Sequence, residues 1–367
     1  MKIIAMYLPQ FHEIEENNTW WGKGYTEWNA VRNAKKYFTD HDQPRVPLNN
    51  NYYDLSLESG KTWQWQARLA KEYGVYGFCI YHYWFKSGDQ LLEKPMEILL
   101  KHPEIDIRYS ICWANETWKR TWYGVESEIL KKQEYGNRDE WENHFAYLLP
   151  FFKDPRYIKV NNKPLVNIYH SQEIPDLLAM RSVWDKLAQK AGFDGVYIVV
   201  GNTGALLREN RHDAIDAYYN YEPSNSRNHE ISSKELMLRR FRNGIKTAQN
   251  RLFKQKKFIH LEDADKYYKC VTKLTELNGK KCYLGTFVGF DDTPRRQYKG
   301  LVIKSSPEKF YNNLLMIKRK LSDLNREDDF VYVTAWNEWG EGAYLEPDNT
   351  NKYKYLEAIK KLKSMDV

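Results

Sequence analysis

The stretch FVYVTAWNEWGEG, Phe330 to Gly342, opens on residues that favour strands and ends in a knot of polar, aromatic and glycine residues. A short run of this kind is a buried strand, and polar groups directly after it mark a strand whose C-terminal end carries function. Seven other stretches have the same form: KIIAMYLPQFH from Lys2, YGFCIYHYWF from Tyr76, IRYSICWANE from Ile107, KPLVNIYH from Lys163, GVYIVVGN from Gly195, DAIDAYYNYEP from Asp213 and CYLGTFVGFD from Cys282. Helical patterns lie between them, in WQWQARLAKEYG from Trp63, DEWENHFAYLLPFF from Asp139, SVWDKLAQKAG from Ser182 and SPEKFYNNLLMIKRKL from Ser306. Strands alternating with helices predict a parallel sheet with helical crossovers, and eight strands predict closure into a (β/α)8 TIM barrel of the α/β class. The 367 residues are read as a single catalytic domain, 1–367, with long loops at the C-terminal face of the barrel.

The placement of polar residues supports this reading. His12, His82, Trp84, Trp113, Asn115, Glu116, His170, Asn202, Tyr221, Glu222, Asp291, Glu338 and Glu341 all fall at C-terminal strand ends or just beyond them. In a barrel those ends converge on one face, where active sites form. Two segments depart from the alternation. Residues 13–62 form a long loop with Trp20, Trp21 and Trp28, expected to drape over that face as a wall or lid. Residues 224–269 form a helical insertion with eight basic and no acidic residues between Arg239 and Lys257. Leu238, Phe241, Ile245 and Leu252 recur there at helical spacing among Arg239, Arg240, Arg242, Lys246, Arg251 and Lys254. Such a helix contacts an anionic membrane surface through 238–257, holds a phosphorylated substrate, or packs its apolar side on its own domain.

Aromatic content is high, with 13 Trp, 28 Tyr and 15 Phe, many beside polar residues. Rings with polar edges suit sugars, whose C–H faces stack while their hydroxyls need hydrogen-bond partners. The formal charge of +7 is modest and outside the insertion evenly spread, which argues against nucleic acid as the main partner. Cys79, Cys112, Cys270 and Cys282 have no CxxC or zinc spacing, and the dispersed histidines show no HxH or HExxH. No phosphate-loop or dinucleotide fingerprint occurs, so chemistry without metal or cofactor is expected. The N-terminal apolar run breaks at Pro9 with no small-residue cleavage site and reads as a strand. No stretch approaches membrane-spanning length, and a cytoplasmic enzyme, at most peripheral to a membrane, is the expectation.

The sharpest local signal is TAWNEWGEGAYLEPD from Thr334, with two glutamates three residues apart. On a continuing strand they point to opposite faces, whereas a helix-like turn, eased by Gly340 and Gly342, brings them to one side. Two adjacent carboxyls are what glycosyl transfer requires, one to donate a proton and the other to accept one or stabilise positive charge. Trp336 and Trp339 beside them offer apolar walls that raise a carboxyl pKa. CWANETW from Cys112 gives Asn115 and Glu116 between Trp113 and Trp118, either sugar ligands or a structural tie between loops, with Glu116 the rival for a catalytic place. YHYWF puts His82 and Trp84 on one side of the second strand, for stacking or for structure. FDDTPRR from Phe290 supplies Asp291, Asp292, Arg295 and Arg296, and arginine there either grips a phosphate or acidic sugar or braces the two glutamates.

Taken together, YLPQFH, WWGKGYTEW, GFCIYHYWF, CWANETW, DDTPRR and AWNEWGEGAYLEPD resemble the glycoside hydrolase family 99-like, WbsX-type proteins, in the same order from first strand to last. The resemblance implies a barrel related to the endo-α-mannosidases and a role in bacterial lipopolysaccharide or capsule biosynthesis. It implies Glu338 as the base toward a sugar 2-hydroxyl, giving a 1,2-anhydro intermediate, and Glu341 as the general acid and later the base for the acceptor. Water as acceptor gives hydrolysis, and a sugar hydroxyl gives transfer with retention. Expected substrates are a glycan or a nucleotide- or lipid-linked sugar. The same motifs add Tyr7, His12, Trp20, Trp21, Glu27, Trp28, Trp336, Asn337 and Trp339 to the expected substrate-binding set, and the end of the sixth strand adds Tyr221. A non-catalytic glycan-binding barrel is the alternative of a different class.

Overall fold

A computed structural model describes residues 1–86, 88–120, 128–204, 212–230, 233–252 and 259–364. Eight parallel strands run β1 (Lys2–Tyr7), β2 (Gly77–Lys86), β3 (Arg108–Trp113), β4 (Lys163–Ile168), β5 (Tyr197–Asn202), β6 (Ala217–Asn220), β7 (Lys280–Phe287) and β8 (Phe330–Thr334). Each pairs with the next, and β1 pairs with both β2 and β8, through Ile4 with Gly77 and Lys2 with Phe330. That last pairing closes the barrel. All eight predicted strands are present, because each run is apolar enough to be buried on both faces.

Helices cover the outside. The long ones are α3 (Lys61–Tyr73), α4 (Lys94–Lys101), α5 (Arg138–Lys153), α6 (Leu177–Lys190), α7 (Ser233–Leu252), α10 (Pro307–Asp323) and α11 (Lys354–Lys363), with the short α9 (Thr293–Arg296) before α10. Ser306 caps α10 by accepting from the Lys309 amide, and Asp176 caps α6 from Ala179. Among the described residues the β5–β6 crossover holds only the single turn His212–Ala214. The barrel interior is partly polar: the Tyr332 hydroxyl donates to Asn167 Oδ1 at 2.9 Å, and Asn167 Nδ2 donates to the Ile111 carbonyl at 3.0 Å.

Residues 13–62 contain two short helices, α1 (Glu15–Trp21) and α2 (Glu27–Arg32). This segment is anchored in place. Glu27, Trp28, His41 and Gln43 are buried, and His41 Nε2 and Gln43 Nε2 reach Asp291 at 2.9 and 2.8 Å. In the segment 224–269, α7 is the main helix, followed by a strand at His260–Asp263 and α8 (Asp265–Tyr268). Lys254, Lys256 and Lys257 of the predicted basic stretch lie outside the described residues.

Candidate active site

The turn after β8 is what the glutamate spacing predicted. A single 3-10 turn, Trp339–Glu341, follows Glu338, and Gly342 closes it in the left-handed region at φ 56°. Gly340 is required for space: a Cβ there would lie 1.7 Å from Glu27 Oε1. Both glutamates thereby face one cavity of about 700 Å³ at the C-terminal ends of the strands. Asn337 locks the turn to the first strand, accepting from the Leu8 amide at 2.8 Å and donating to its carbonyl at 2.9 Å.

Arg295 organises the acids. Its Nε donates to Glu27 Oε1 at 2.7 Å, one terminal nitrogen to Glu341 Oε1 at 2.5 Å and the other to Glu338 Oε2 at 3.2 Å. Of the two roles open to this arginine, bracing the strand-eight glutamates is the one these contacts describe. The three carboxyls differ in exposure: Glu27 and Glu338 are buried, while the Glu341 side chain keeps about a quarter of its surface open, at 27%. Burial, reinforced by the neighbouring Glu341 charge, raises the Glu338 pKa to about 8 against the opposing pull of Arg295. At neutral pH Glu338 mostly holds a proton.

Phenol rings form the walls. Tyr81, Tyr83, Tyr169 and Tyr221 line the cavity, and the Tyr81 and Tyr221 hydroxyls meet at 3.0 Å. Burial first, then neighbouring phenols and acids, raises all four well above the usual phenol value, so they stay protonated. Trp21 and Trp118 add indole surface. Across the cavity, Glu116 Oε1 and His170 Nε2 are 2.7 Å apart.

Of the residues expected at the site, Glu338, Glu341, Trp21, Asn115, Glu116, Tyr221 and Arg295 line this cavity. Asn115 spends its side chain tying its loop to the one after β4, through the His170 amide and carbonyl at 2.9 and 2.7 Å. Arg296 is largely exposed and lines an adjoining recess of about 260 Å³ with Glu341. Trp20 lines a neighbouring cavity of about 540 Å³ with Trp21.

The remaining expected ligands stand behind the cavity wall. His82 and Trp84 face α5, where His82 Nε2 meets His144 Nε2 at 2.9 Å and Trp84 Nε1 donates to Glu140 at 2.7 Å. Burial lowers the His82 pKa to about 3, which keeps it neutral. Trp113 Nε1 donates to the Trp84 carbonyl at 2.9 Å. Tyr7 donates to Gln66 at 2.7 Å, and buried His12 bonds the Pro9 carbonyl at 3.1 Å. Trp28 Nε1 donates to the Tyr53 carbonyl at 2.8 Å, and Trp339 Nε1 to Glu346 at 2.7 Å. Trp336 is buried against Phe78. Asp291, taken for a ligand, is buried under His41, Gln43 and Thr293 and supports the turn. Burial opposes its ionisation, but His41, Arg45 and Thr293 outweigh that and hold its pKa low. These residues position the wall and do not touch the cavity.

Tyr81, Tyr83 and Tyr169 were missed. In β2 the residues of even number face the helices and those of odd number face inward. Both sets are aromatic, so alternation alone did not choose between them. Among the described residues no three His, Cys, Asp or Glu side chains gather as a metal site.

The fold and site define a (β/α)8 barrel whose cavity, walled by phenols and indoles, carries an arginine-bridged acidic pair on the turn after its last strand. The chain belongs to the family described as Glycosyltransferase WbsX, whose model matches residues 3–359. It is 30% identical over 360 residues to a protein called WxcX, uncharacterized, from Xanthomonas campestris pv. campestris strain ATCC 33913, and equally to its counterpart in strain B100. Those matches cover 98% of this chain, which spans about half, 49%, of the length of these curated relatives. Among solved structures, the GH99 endo-alpha-mannosidase from Bacteroides thetaiotaomicron is similar with a TM-score of 0.57 at 12% identity, covering 99% of this chain and 96% of that one. A glycoside hydrolase-like protein matches with a TM-score of 0.57 at 13% identity, covering 98% and 93%. At such identities the likeness is one of fold.

Proposed function

We propose that this barrel acts on glycosidic bonds in bacterial surface-polysaccharide biosynthesis, by retaining glycosyl transfer through Glu338 and Glu341. The observation that carries the reading is the pair itself, held by one buried arginine at the base of a cavity walled by phenols and indoles. A carboxyl whose pKa is about 8 is a far stronger proton acceptor, once ionised, than an ordinary carboxylate. That favours Glu338 as the base. It takes the 2-hydroxyl proton of the donor sugar as that oxygen attacks the anomeric carbon. The bond to the leaving oxygen breaks, and Glu341, the more open of the two, protonates it. In the second step an acceptor hydroxyl attacks the anomeric carbon and gives its proton to Glu341, the bond between that carbon and the sugar's 2-oxygen breaks, and the 2-oxygen recovers its proton from Glu338.

A sugar acceptor gives transfer, and water gives hydrolysis. A nucleotide- or lipid-linked donor would bring its phosphates to the recess beside Glu341, where Arg296, paired with Asp292 at 3.6 Å, is the exposed cation. Mass spectrometry of products from purified protein, mixed with nucleotide sugars, lipid-linked sugars and mannose-containing glycans, tests the proposal. Sugar added to an acceptor supports transfer. Free sugar released from a glycan moves the reading to an endo-acting hydrolase. Glycan binding with no product from any mixture leaves a binding barrel and refutes the enzyme.

A further inference from the structure

Helix α7, Ser233–Leu252, is turned inside out relative to an ordinary surface helix. At a hundred degrees per residue, Met237, Phe241, Ile245 and Leu252, with Leu238 at the edge, form one continuous apolar stripe. In a soluble domain that stripe faces the core. Here Met237 is 69% exposed, Phe241 67% and Leu252 79%, with Ile245 and Leu238 also open. The side that meets the protein is polar: Arg239 donates to the Arg227 carbonyl at 2.6 Å and Lys246 to the Ile259 carbonyl. Arg242 flanks the stripe on one edge, and Arg240 and Arg251 lie beyond the other.

The geometry points to α7 as a docking helix for an anionic lipid surface, lying flat with its apolar stripe in the acyl boundary and its arginines at the phosphates. Charge selects this occupant. From Arg239 to Lys257 the sequence holds eight cations and no acid, so a second copy would bring two cationic helices together, whereas acidic lipid headgroups supply the missing anions. The combination of a bulky apolar stripe with basic flanks is what interfacial binding needs. The helix springs from the segment after β6, on the side of the barrel where the cavity opens. Docking there sets the site near the membrane surface, where a lipid-linked sugar presents its head. That consequence rests on the proposed glycosyl chemistry, whereas the docking itself does not.

Vesicle flotation of the full chain tests docking without any turnover. The probes are phosphatidylglycerol–phosphatidylethanolamine vesicles and neutral phosphatidylcholine vesicles, at low and high salt. Binding is expected to the anionic vesicles and to fall with salt. Replacing Arg240, Arg242 and Arg251 together by Gln is expected to weaken it roughly a hundredfold, at about fivefold per cation. Phe241→Ser and Leu252→Ser are each expected to cost about tenfold. All are surface changes, and unchanged circular dichroism and melting temperature confirm that the variants remain folded. Equal binding to neutral vesicles, or no binding to anionic ones, overturns the proposal. So does a concentration-dependent dimer in sedimentation velocity that Phe241→Ser abolishes, because a second copy then covers the stripe.

Discussion

Replacing Arg295 by Met removes the cation that Glu27, Glu338 and Glu341 share, at 2.7, 3.2 and 2.5 Å, while retaining most of the side-chain bulk. Glu27 is then a fully buried acid without its counterion. Breaking a buried ion pair from one side costs about 3–5 kcal/mol, because the stranded charge has lost both water and partner. With an unfolding entropy of about 2.1 cal/mol/K per residue over 367 residues, that loss lowers Tm by roughly 4–6 °C. The deficit depends on pH. An uncompensated buried charge disappears when the carboxylate binds a proton, so the deficit is largest at neutral pH and shrinks as pH falls. The double variant Glu27→Gln/Arg295→Met is expected to recover part of the loss, since it leaves one buried charge fewer. Scanning calorimetry of the wild type and of the single and double variants, near neutral pH and near pH ~5, measures all three effects. An unchanged Tm for Arg295→Met, or a deficit that does not shrink in acid, refutes the view that this arginine holds the acidic cluster together.

Gly340→Ala places a methyl group 1.7 Å from Glu27 Oε1 and 2.7 Å from Arg295 Nε, so activity is expected to collapse, with a stability loss of about 1–3 kcal/mol by thermal melting. For the pH profile, a Glu338 pKa of about 8 predicts that kcat/KM changes as pH passes through that value; a profile flat across that range would refute the raised pKa. Tyr221→Phe removes a hydroxyl that meets Tyr81 at 3.0 Å in the cavity wall, and is expected to raise KM several-fold, about 1 kcal/mol of lost hydrogen bonding, at unchanged Tm.

The barrel was legible because every strand is an apolar run bounded by polar residues, a pattern that survives without knowledge of neighbours. The turn carrying Glu338 and Glu341 was legible too, because Gly340 and Gly342 permit a geometry that other residues resist. What the sequence left open were choices of face and partner. His82 and Trp84 share one side of β2 and Tyr81 and Tyr83 the other, and aromatic residues on both leave nothing in the alternation to say which side looks into the barrel. Arg295 stands 268 positions from Glu27, so no local pattern distinguished a brace from a phosphate grip. Asp291 resembled a ligand because its burial depends on His41 and Gln43 in a segment that reads as loop. For α7 the spacing revealed an apolar stripe, but only the packed structure shows that the stripe faces outward.

The central claim is that the strand-eight glutamates carry the chemistry, and turnover by Glu338→Gln and Glu341→Gln tests it most directly. On the substrate that the product screen identifies, both variants are expected to lose at least about a hundredfold in kcat, the lower range for one acid or base group, while still binding that substrate in calorimetric titration. Turnover surviving in both would contradict the account and move the chemistry across the cavity to Glu116 and His170.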